Sequence, residues 1–194
     1  MENKKIALTG GIGSGKSTAL EILQGAGYIT LSSDKIVSDL YCTRKVKKIL
    51  KSIFPSAVSG FFNLKIDRKE ISRLAFSNSE LHEKLTHAIT PLVLNEINKR
   101  AQKLKNSVFV EVPLLFECGY QNEFDAVLVI TRPLQDRIES VKLRSNLTEQ
   151  EIVARIKKQT DYDNFDLAPY VVIENNGDFN QLKEKVLLTA KNLI

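Results

Sequence analysis

The sequence predicts an α/β fold in which helices cover a parallel sheet in three layers. Short runs of β-branched residues alternate along the chain with stretches of helical periodicity, the order that crossover helices between parallel strands produce. The first run, Lys5–Thr9, leads directly into a glycine-rich segment and then a helix. Between the second and third runs, residues 35–107 show helical patterns and no strand signal, so we expect an inserted helical lobe there.

Local signals place the elements of the sheet region. We expect strands at Lys5–Thr9, Tyr28–Ser32, Val108–Val112, Asp125–Thr131 and Tyr170–Glu174. We expect helices at Lys16–Gln24, from Pro133, at Thr148–Gln159 and from Asp178 to Leu193. Gly25 and Gly27 end the first helix, because glycine favours the left-handed backbone of a helix C-terminus. Pro133 suits a first helical position, and Thr148-x-x-Glu151 predicts a capping box.

The inserted segment is predicted to form three helices, at residues 34–53, 67–76 and 80–105. Asp67-x-x-Glu70 and Ser77-x-x-Glu80 are capping-box patterns for the last two. A crossover between parallel strands needs only a dozen or so residues. The insertion is therefore long enough to form a lobe with a function of its own.

Residues 10–18, which we call the phosphate loop, match the Gly-x-x-x-x-Gly-Lys-Ser pattern that binds nucleotide phosphates. The binding residues expected here are Gly11, Ile12, Gly13, Ser14, Gly15, Lys16, Ser17 and Thr18. Glycines let successive N–H groups converge on one anion, and the dipole of the following helix points at the same place. Lys16 is expected to reach the β- and γ-phosphates, and Ser17 Oγ to ligate Mg²⁺. A glycine-rich turn with a bystander lysine is the weaker alternative.

Composition sets further limits. The chain has 194 residues, 43% of them hydrophobic, which suits one domain with an inserted lobe. Its net charge of +5 favours anionic partners, but the lysines are scattered, so we expect nucleotides and no nucleic acid. The longest apolar run, Ala126–Ile130, is too short to span a bilayer, and no signal peptide is recognisable. Two distant cysteines are typical of a reducing compartment. We expect a cytoplasmic monomer or small homo-oligomer without membrane contact.

Among phosphate-loop proteins, the sequence favours a small-molecule kinase. A GTPase should carry Asn-Lys-x-Asp, whereas Asn98-Lys99-Arg100-Ala101 lacks the aspartate. A motor or ring ATPase normally ends its third strand in adjacent acidic residues, and here Glu111 stands alone. Glu111 either helps to order Mg²⁺-bound water or is a half-buried acid at the end of a strand. A kinase needs an acid near the γ-phosphate, arginines that neutralise charge, and a lid.

Further motifs occur at several places along the chain. They are Leu8–Thr18, Asp34, Ile66-Asp67-Arg68, Phe76, Pro113-Leu114-Leu115-Phe116-Glu117, Arg144, Arg155-Ile156-x-x-Gln159 and Val172–Gly177. On these residues the chain resembles the dephospho-coenzyme A kinase family nearly end to end, most specifically in the Pro-Leu-Leu-Phe-Glu run and the Asn-Asn-Gly segment. The resemblance implies a phosphate-loop NTPase fold with a nucleotide-binding core at 1–34 and 108–194, an acceptor lobe at 35–107 and a lid at about 137–160. It also implies Mg·ATP-dependent phosphorylation of the ribose 3′-hydroxyl of dephospho-coenzyme A.

The resemblance assigns roles to particular residues. Asp34 is implied to be the catalytic base, and Lys16 is implied to be a further catalytic residue. The alternative role of Asp34 is the N-cap of a helix that begins at Lys35. Arg144 is implied to neutralise the transferring phosphoryl group, or else it is a solvated arginine on a helix face. Asn175 is implied to lie beside the adenine, or else it forms an Asn-Asn-Gly turn. The segments implied to contact the acceptor are Asp34, Arg68, Pro113, Leu114, Leu115 and Glu117.

The chain departs from the family pattern at several positions. Ser32 replaces an acid, Thr90 a histidine, Ser140 an arginine, and Pro169-Tyr170 an Ala-Asp pair; Tyr162 and Phe165 replace basic residues. These departures bear on acceptor specificity, whereas the residues needed for transfer are present. Two alternatives therefore remain: another metabolite or nucleoside monophosphate kinase, and a nucleotide-gated binding protein with little turnover.

Overall fold

Five parallel strands form the central sheet. The computed structural model describes residues 3–61, 63–145 and 147–194. In chain order the elements are β1 (Lys5–Thr9), α1 (Lys16–Gly25), β2 (Ile29–Ser32), α2 (Ser33–Tyr41), α3 (Arg44–Ile53), β3 (Val58–Ser59), β4 (Lys65–Ile66), α4 (Arg68–Ser77), α5 (Ser79–Leu104), β5 (Val108–Glu111), β6 (Ala126–Thr131), α6 (Leu134–Arg144), α7 (Glu149–Ile156), β7 (Val171–Glu174) and α8 (Phe179–Leu193). The sheet order is β2-β5-β1-β6-β7, and every neighbouring pair is parallel. The predicted α/β class with a parallel sheet is confirmed.

The strand register aligns the carboxyl ends of the strands along one edge of the sheet. Glu111, the last residue of β5, lies opposite Ser32 at the end of β2. Thr131 of β6 lies opposite Glu174 of β7. Ligands of open parallel sheets bind at this edge, because the loops that follow the strands meet there.

Helices α1 and α8 pack together over the sheet. They contribute Ala19, Ile22, Leu23, Leu182, Val186 and Ala190 to a cluster of buried residues. The strands contribute Ile6, Leu8, Phe109, Leu128, Ile130 and Ile173 to the same cluster. This continuous apolar core fixes β1 and α1, and with them the two ends of the phosphate loop.

The described chain divides into two compact units. The sheet unit comprises the residues up to Ser32 and those from Lys103 onwards. The inserted unit comprises Ser33–Gln102, and its buried apolar residues include Ile36, Leu50, Phe54, Ile71 and Ile97. Arg100 of α5 joins α2 through Asp39, with Nη2 and Oδ2 3.0 Å apart.

The inserted unit differs from the sequence prediction in three details. The single helix predicted for residues 34–53 is wrong: α2 ends at Tyr41, and Thr43 caps α3 by accepting a hydrogen bond from Val46 N. The short antiparallel pair β3–β4 was not predicted. The predicted cap at Ser77 is also wrong, because Asn78 Oδ1 accepts from Leu81 N instead.

The cap signals at Thr148 and Asp178 are confirmed, whereas Pro133 is the N-cap residue of α6 and not its first helical residue, and in the predicted Asp67–Glu70 box the Asp67 N–H donates to Ala57 O instead of to Glu70. Asp67 accepts from Glu70 N at the start of α4, and Asp178 accepts from Gln181 N at the start of α8. Thr148 and Glu151 form the complete capping box at the start of α7. None of the helices described for this chain is long and apolar enough to cross a lipid bilayer.

Candidate active site

The phosphate loop connects β1 to α1 at the carboxyl edge of the sheet. Gly13 and Gly15 have φ angles of +80° and +102°, which a residue with a Cβ rarely adopts. Both are also in close contact: a Cβ on Gly15 would overlap Asn175 Nδ2, and one on Gly13 would overlap the backbone of Arg137. The glycines therefore permit both the turn and the approach of two other segments.

Lys16 begins α1 and points back along the loop. The residue is 9% exposed, and its Nζ donates to Gly10 O at 2.7 Å and to Gly11 O at 2.9 Å. The folded chain thus holds an ammonium group against the loop that the sequence predicts to bind phosphate. Its position at the helix N-terminus adds to the local positive potential.

Ser17 and Glu111 form a pair of oxygen ligands next to the loop. Ser17 Oγ donates to Glu111 Oε1 at 3.0 Å. Mg²⁺ prefers oxygen ligands and is held by only one or two protein groups together with substrate phosphates. A hydroxyl and a carboxylate at this spacing fit that requirement. No cluster of three or more His, Cys, Asp or Glu side chains suited to a metal occurs within residues 3–61, 63–145 and 147–194.

Asn175 ties the end of β7 to the phosphate loop. It is 8% exposed, its Nδ2 donates to Ser14 O at 2.8 Å, and its backbone N–H donates to Thr131 O at 2.9 Å. The Asn-Asn-Gly segment is therefore more than a surface turn, because its first amide braces the loop directly.

Helices α6 and α7 carry the predicted lid residues. Arg144 is the last residue of α6 and is exposed. Gln159, three residues beyond α7, accepts a hydrogen bond from Ile12 N at 2.7 Å. The side chain of Ile12 packs against the small cluster formed by Ile138, Val141 and Ile152. The middle of the phosphate loop is thus attached to this helical pair.

Sequence reasoning places Arg137 close to Ser140 but assigns it no role in the site. It is 4% exposed, and its guanidinium lies beside Gly11 of the phosphate loop. The available signal was its spacing from Ser140, the position at which the family resemblance leads us to expect arginine. Residues three apart share one face of a helix, so an arginine at either position can project in a similar direction.

The Pro113–Glu117 run packs against the segment that follows α7. Leu115 is completely buried, whereas Leu114 is 42% exposed. Glu117 Oε1 accepts from Thr160 N at 2.7 Å. The ring of Phe116 contacts the rings of Tyr162, Phe165 and Tyr170. Tyr162, Phe165 and Tyr170, the three aromatic residues among the departures from the family pattern, therefore form one cluster with this run.

A cavity of about 630 Å³ opens beside these residues, at the ends of β6 and β7. Its lining includes Thr131, Arg132, Tyr162, Asp163, Tyr170 and Asn176. Burial raises the pKa of Tyr162 to about 12, so its hydroxyl stays protonated at neutral pH and lies 3.4 Å from Thr9 Oγ1. The cavity combines aromatic surface with hydrogen-bonding groups, as small-molecule sites do.

The inserted unit carries two of the predicted site residues. Asp34 is exposed in the first turn of α2, and no described residue of this unit donates a hydrogen bond to its carboxylate. The alternative role as an N-cap is therefore not realised. Arg68 donates from Nη1 to Ser38 Oγ and from Nη2 to Ser38 O, both at 3.1 Å, and lies 5.5 Å from the ring centroid of Tyr41.

Comparisons with known proteins agree with this arrangement. The family model described as dephospho-CoA kinase matches residues 4–181. A dephospho-CoA kinase of Thermus thermophilus is 33% identical over 92% of this chain and 86% of its own. The crystal structure of TT1252 from Thermus thermophilus superposes with a TM-score of 0.86 at 31% identity, with complete coverage of both chains. The dephospho-CoA kinase from Campylobacter jejuni gives a TM-score of 0.71 at 25% identity over 99% of this chain and 98% of that one. With its phosphate loop, its parallel sheet and these relatives, the chain belongs to the dephospho-CoA kinase family.

Proposed function

We propose that this chain transfers the γ-phosphoryl group of ATP to the ribose 3′-hydroxyl of dephospho-CoA, which gives coenzyme A. The observation that carries the proposal is the phosphate loop at the carboxyl edge of the sheet. Lys16 and Ser17 lie at the end of this loop, and Ser17 is hydrogen-bonded to Glu111 at the end of β5. A cation and a pair of oxygen ligands are what a triphosphate with its metal requires. Family membership supplies the identity of the acceptor.

The nucleotide would occupy two adjoining places. Its phosphates would lie against the N–H groups of the phosphate loop, with Lys16 at the β- and γ-phosphates. The base and ribose would enter the cavity lined by Arg132, Tyr162 and Asn176. This placement is supported by Asn175, which joins the edge of the cavity to the loop through its bond to Ser14 O.

Ser17 and Glu111 would hold Mg²⁺. When bound, this ion neutralises charge on the phosphates and fixes their orientation. Ser17 would offer its hydroxyl oxygen, and Glu111 would bind either directly or through ordered water. The 3.0 Å spacing of their oxygens supports this assignment over that of a structural acid at the end of a strand.

Asp34 would act as the base. Its carboxylate would orient the ribose hydroxyl and accept its proton as the oxygen attacks the γ-phosphorus, while the bond to the bridging oxygen breaks and ADP leaves. Two observations support the role: the residue follows the end of β2 by two positions, and its exposed carboxylate has no capping function. Arg144, exposed at the end of α6, would neutralise charge on the transferring group.

Arg68 and the Pro113–Glu117 run are the segments proposed to bind the acceptor. Arg68 is held by Ser38 in the inserted unit and would present positive charge to the phosphates of dephospho-CoA. In the sheet unit Pro113, Leu114 and Glu117 would contact the acceptor. Leu115 would act only through the shape of the run, because its side chain is completely buried.

A panel of acceptors tests the function. Purified protein is incubated with Mg·ATP and dephospho-CoA, adenosine or a nucleoside monophosphate, and the products are identified by mass spectrometry. We expect coenzyme A from dephospho-CoA and no comparable product from the others. Phosphorylation of a different acceptor would favour the metabolite-kinase alternative. ATP binding without transfer to any of them would favour a nucleotide-gated binding protein.

We propose a cytoplasmic monomer or small homo-oligomer whose partners are ATP and dephospho-CoA, without nucleic acid or membrane contact. The two free cysteines, Cys42 and Cys118, support a reducing compartment. Burial raises the pKa of the Cys118 thiol, with a smaller effect from Glu117, which keeps it protonated and unreactive.

A further inference from the structure

Arg137 lies where α6 packs on the phosphate loop. A Cβ on Gly11 would overlap its Nη1, and one on Gly13 would overlap its backbone carbonyl. The arginine therefore approaches the loop as closely as two glycines allow. At 4% exposure its guanidinium is held in place by packing.

The charge of this guanidinium is poorly compensated. Within residues 3–61, 63–145 and 147–194 its ion pair is with Asp163, at 3.4 Å between Nη2 and Oδ2, and the Asp163 side chain is 58% exposed. Its Nε is buried and has no hydrogen-bond partner in the same parts of the chain. A buried guanidinium is stable only when opposite charge and acceptors satisfy its donors. The long contact to the exposed Asp163 carboxylate and a weaker electrostatic interaction with the exposed Asp161 leave the buried Nε without an acceptor among the described residues.

We propose that Arg137 binds the phosphate chain of the nucleotide as a second cation beside Lys16. The inference rests on the proposed binding of ATP, but not on the identity of the acceptor. Nη1 of the guanidinium already lies against Gly11 of the loop proposed to bind the phosphates, and the buried Nε without an acceptor shows that the charge of this group is incompletely satisfied by the described residues. Without nucleotide, the Asp163 carboxylate pairs with Arg137. When the nucleotide binds, a phosphate oxygen replaces this carboxylate. Arg137 thereby supplies, from one helical turn earlier, the positive charge that Ser140 lacks.

Direct titration calorimetry with ATP, ADP and adenosine, without any acceptor, tests this role. We expect Arg137→Gln to weaken ATP binding by roughly 10- to 100-fold, the effect of losing a hydrogen bond to a charged group. Adenosine binding should change much less, because adenosine has no phosphate. Arg137→Lys should restore part of the affinity. Lys183→Gln, which removes one exposed positive charge from α8, is the matched control and should bind ATP as the wild type does.

Asp163→Asn keeps the test decisive if Arg137→Gln folds poorly. The exchange removes the competing carboxylate from an exposed position. Because Asp163 also lines the cavity proposed for the base and ribose, adenosine binding measures any effect on that cavity, and the ratio of ATP affinity to adenosine affinity should equal or exceed the wild-type ratio. Equal losses for ATP and adenosine in Arg137→Gln, or a lower ratio of ATP affinity to adenosine affinity in Asp163→Asn, would make the pair a structural brace and overturn the proposal. Because no acceptor is present, failure of the proposed transfer to dephospho-CoA would show separately, as wild-type protein that binds ATP but makes no coenzyme A.

Discussion

Replacing Asp34 by asparagine separates chemistry from stability. The amide can still hold a ribose hydroxyl but cannot accept its proton. We therefore expect kcat to fall by about 10²- to 10⁴-fold, the usual contribution of a general base. That range corresponds to about 2.7–5.4 kcal/mol of transition-state stabilisation. The KM values for both substrates should change far less, because the lost interaction belongs to the transition state.

The structure limits what the same exchange does to folding. Asp34 is exposed in the first turn of α2 and receives no hydrogen bond from described residues of its unit, so only its interaction with the helix dipole is lost. Such an interaction contributes about 0.3–1 kcal/mol. For a chain of this size that lowers Tm by at most about 4 °C. A large loss of kcat with so small a loss of stability identifies a chemical role.

Steady-state assays that quantify coenzyme A, combined with calorimetric titration of each substrate, measure these effects. Glu80→Gln is the matched control, since Glu80 is also an acid in the first turn of a helix of the inserted unit. It should lower Tm slightly and leave kcat intact. If Asp34→Asn folds, binds both substrates and keeps more than about a tenth of the wild-type kcat, a loss below ~1.4 kcal/mol, Asp34 is not the base.

Four further predictions follow from the described contacts. Lys16→Ala should weaken ATP binding and abolish transfer while the fold persists, because the exchange removes the bonds from Nζ to Gly10 O and Gly11 O and leaves the apolar core between the sheet, α1 and α8 intact; unchanged ATP affinity in calorimetry would refute its role. Glu111→Gln should raise the Mg²⁺ concentration needed for half-maximal activity. If the Mg²⁺ titration is unaltered, Glu111 has only a structural role at the end of β5. In hydrogen exchange, ATP analogues should protect the phosphate loop and dephospho-CoA should protect the inserted unit; protection confined to the loop would exclude the unit from acceptor binding. Thr148→Ala should reduce the free energy of unfolding by about 1 kcal/mol in chemical denaturation. Hydrogen bonds from the backbone and side chain of Thr148 lower the pKa of Glu151, so this stabilisation is present above the ordinary glutamate pKa and is lost as pH falls through the lowered value. Thr148→Ala keeps the backbone bond, which is the larger cause, and removes the side-chain bond, so the variant should lose slightly less stability on acidification than the wild type.

The sheet region was well predicted because its signals are local. β1 and β6 are short apolar runs bounded by polar or turn residues, and α1 begins at the lysine that closes the phosphate loop. Thr148-x-x-Glu151 carries its capping geometry within four residues, so the start of α7 could be predicted from sequence. Patterns that are complete within one or two turns of chain need no tertiary information.

Local patterns could not predict the short strands of the inserted unit, the break between α2 and α3, or the position of Arg137. β3 and β4 have two residues each, too few for any alternation to appear. The helix predicted for residues 34–53 continues its periodicity across the break, and only the cap formed by Thr43 marks it. The site at Arg137 exists because α6 folds onto glycines more than a hundred residues earlier, which single-sequence periodicity does not encode.

The attachment of Ile12 to α6 and α7 links nucleotide affinity to local unfolding. The loop is supported by two apolar clusters: the large one between the sheet and helices α1 and α8, and the small one of Ile138, Val141 and Ile152. A small cluster opens at lower free energy than the global fold. On warming, the helical pair should therefore loosen before the sheet melts, and the phosphate loop should lose its support from Ile12 and Gln159 with it. The upper temperature for ATP binding is then governed by a few aliphatic side chains that are not expected to touch the nucleotide.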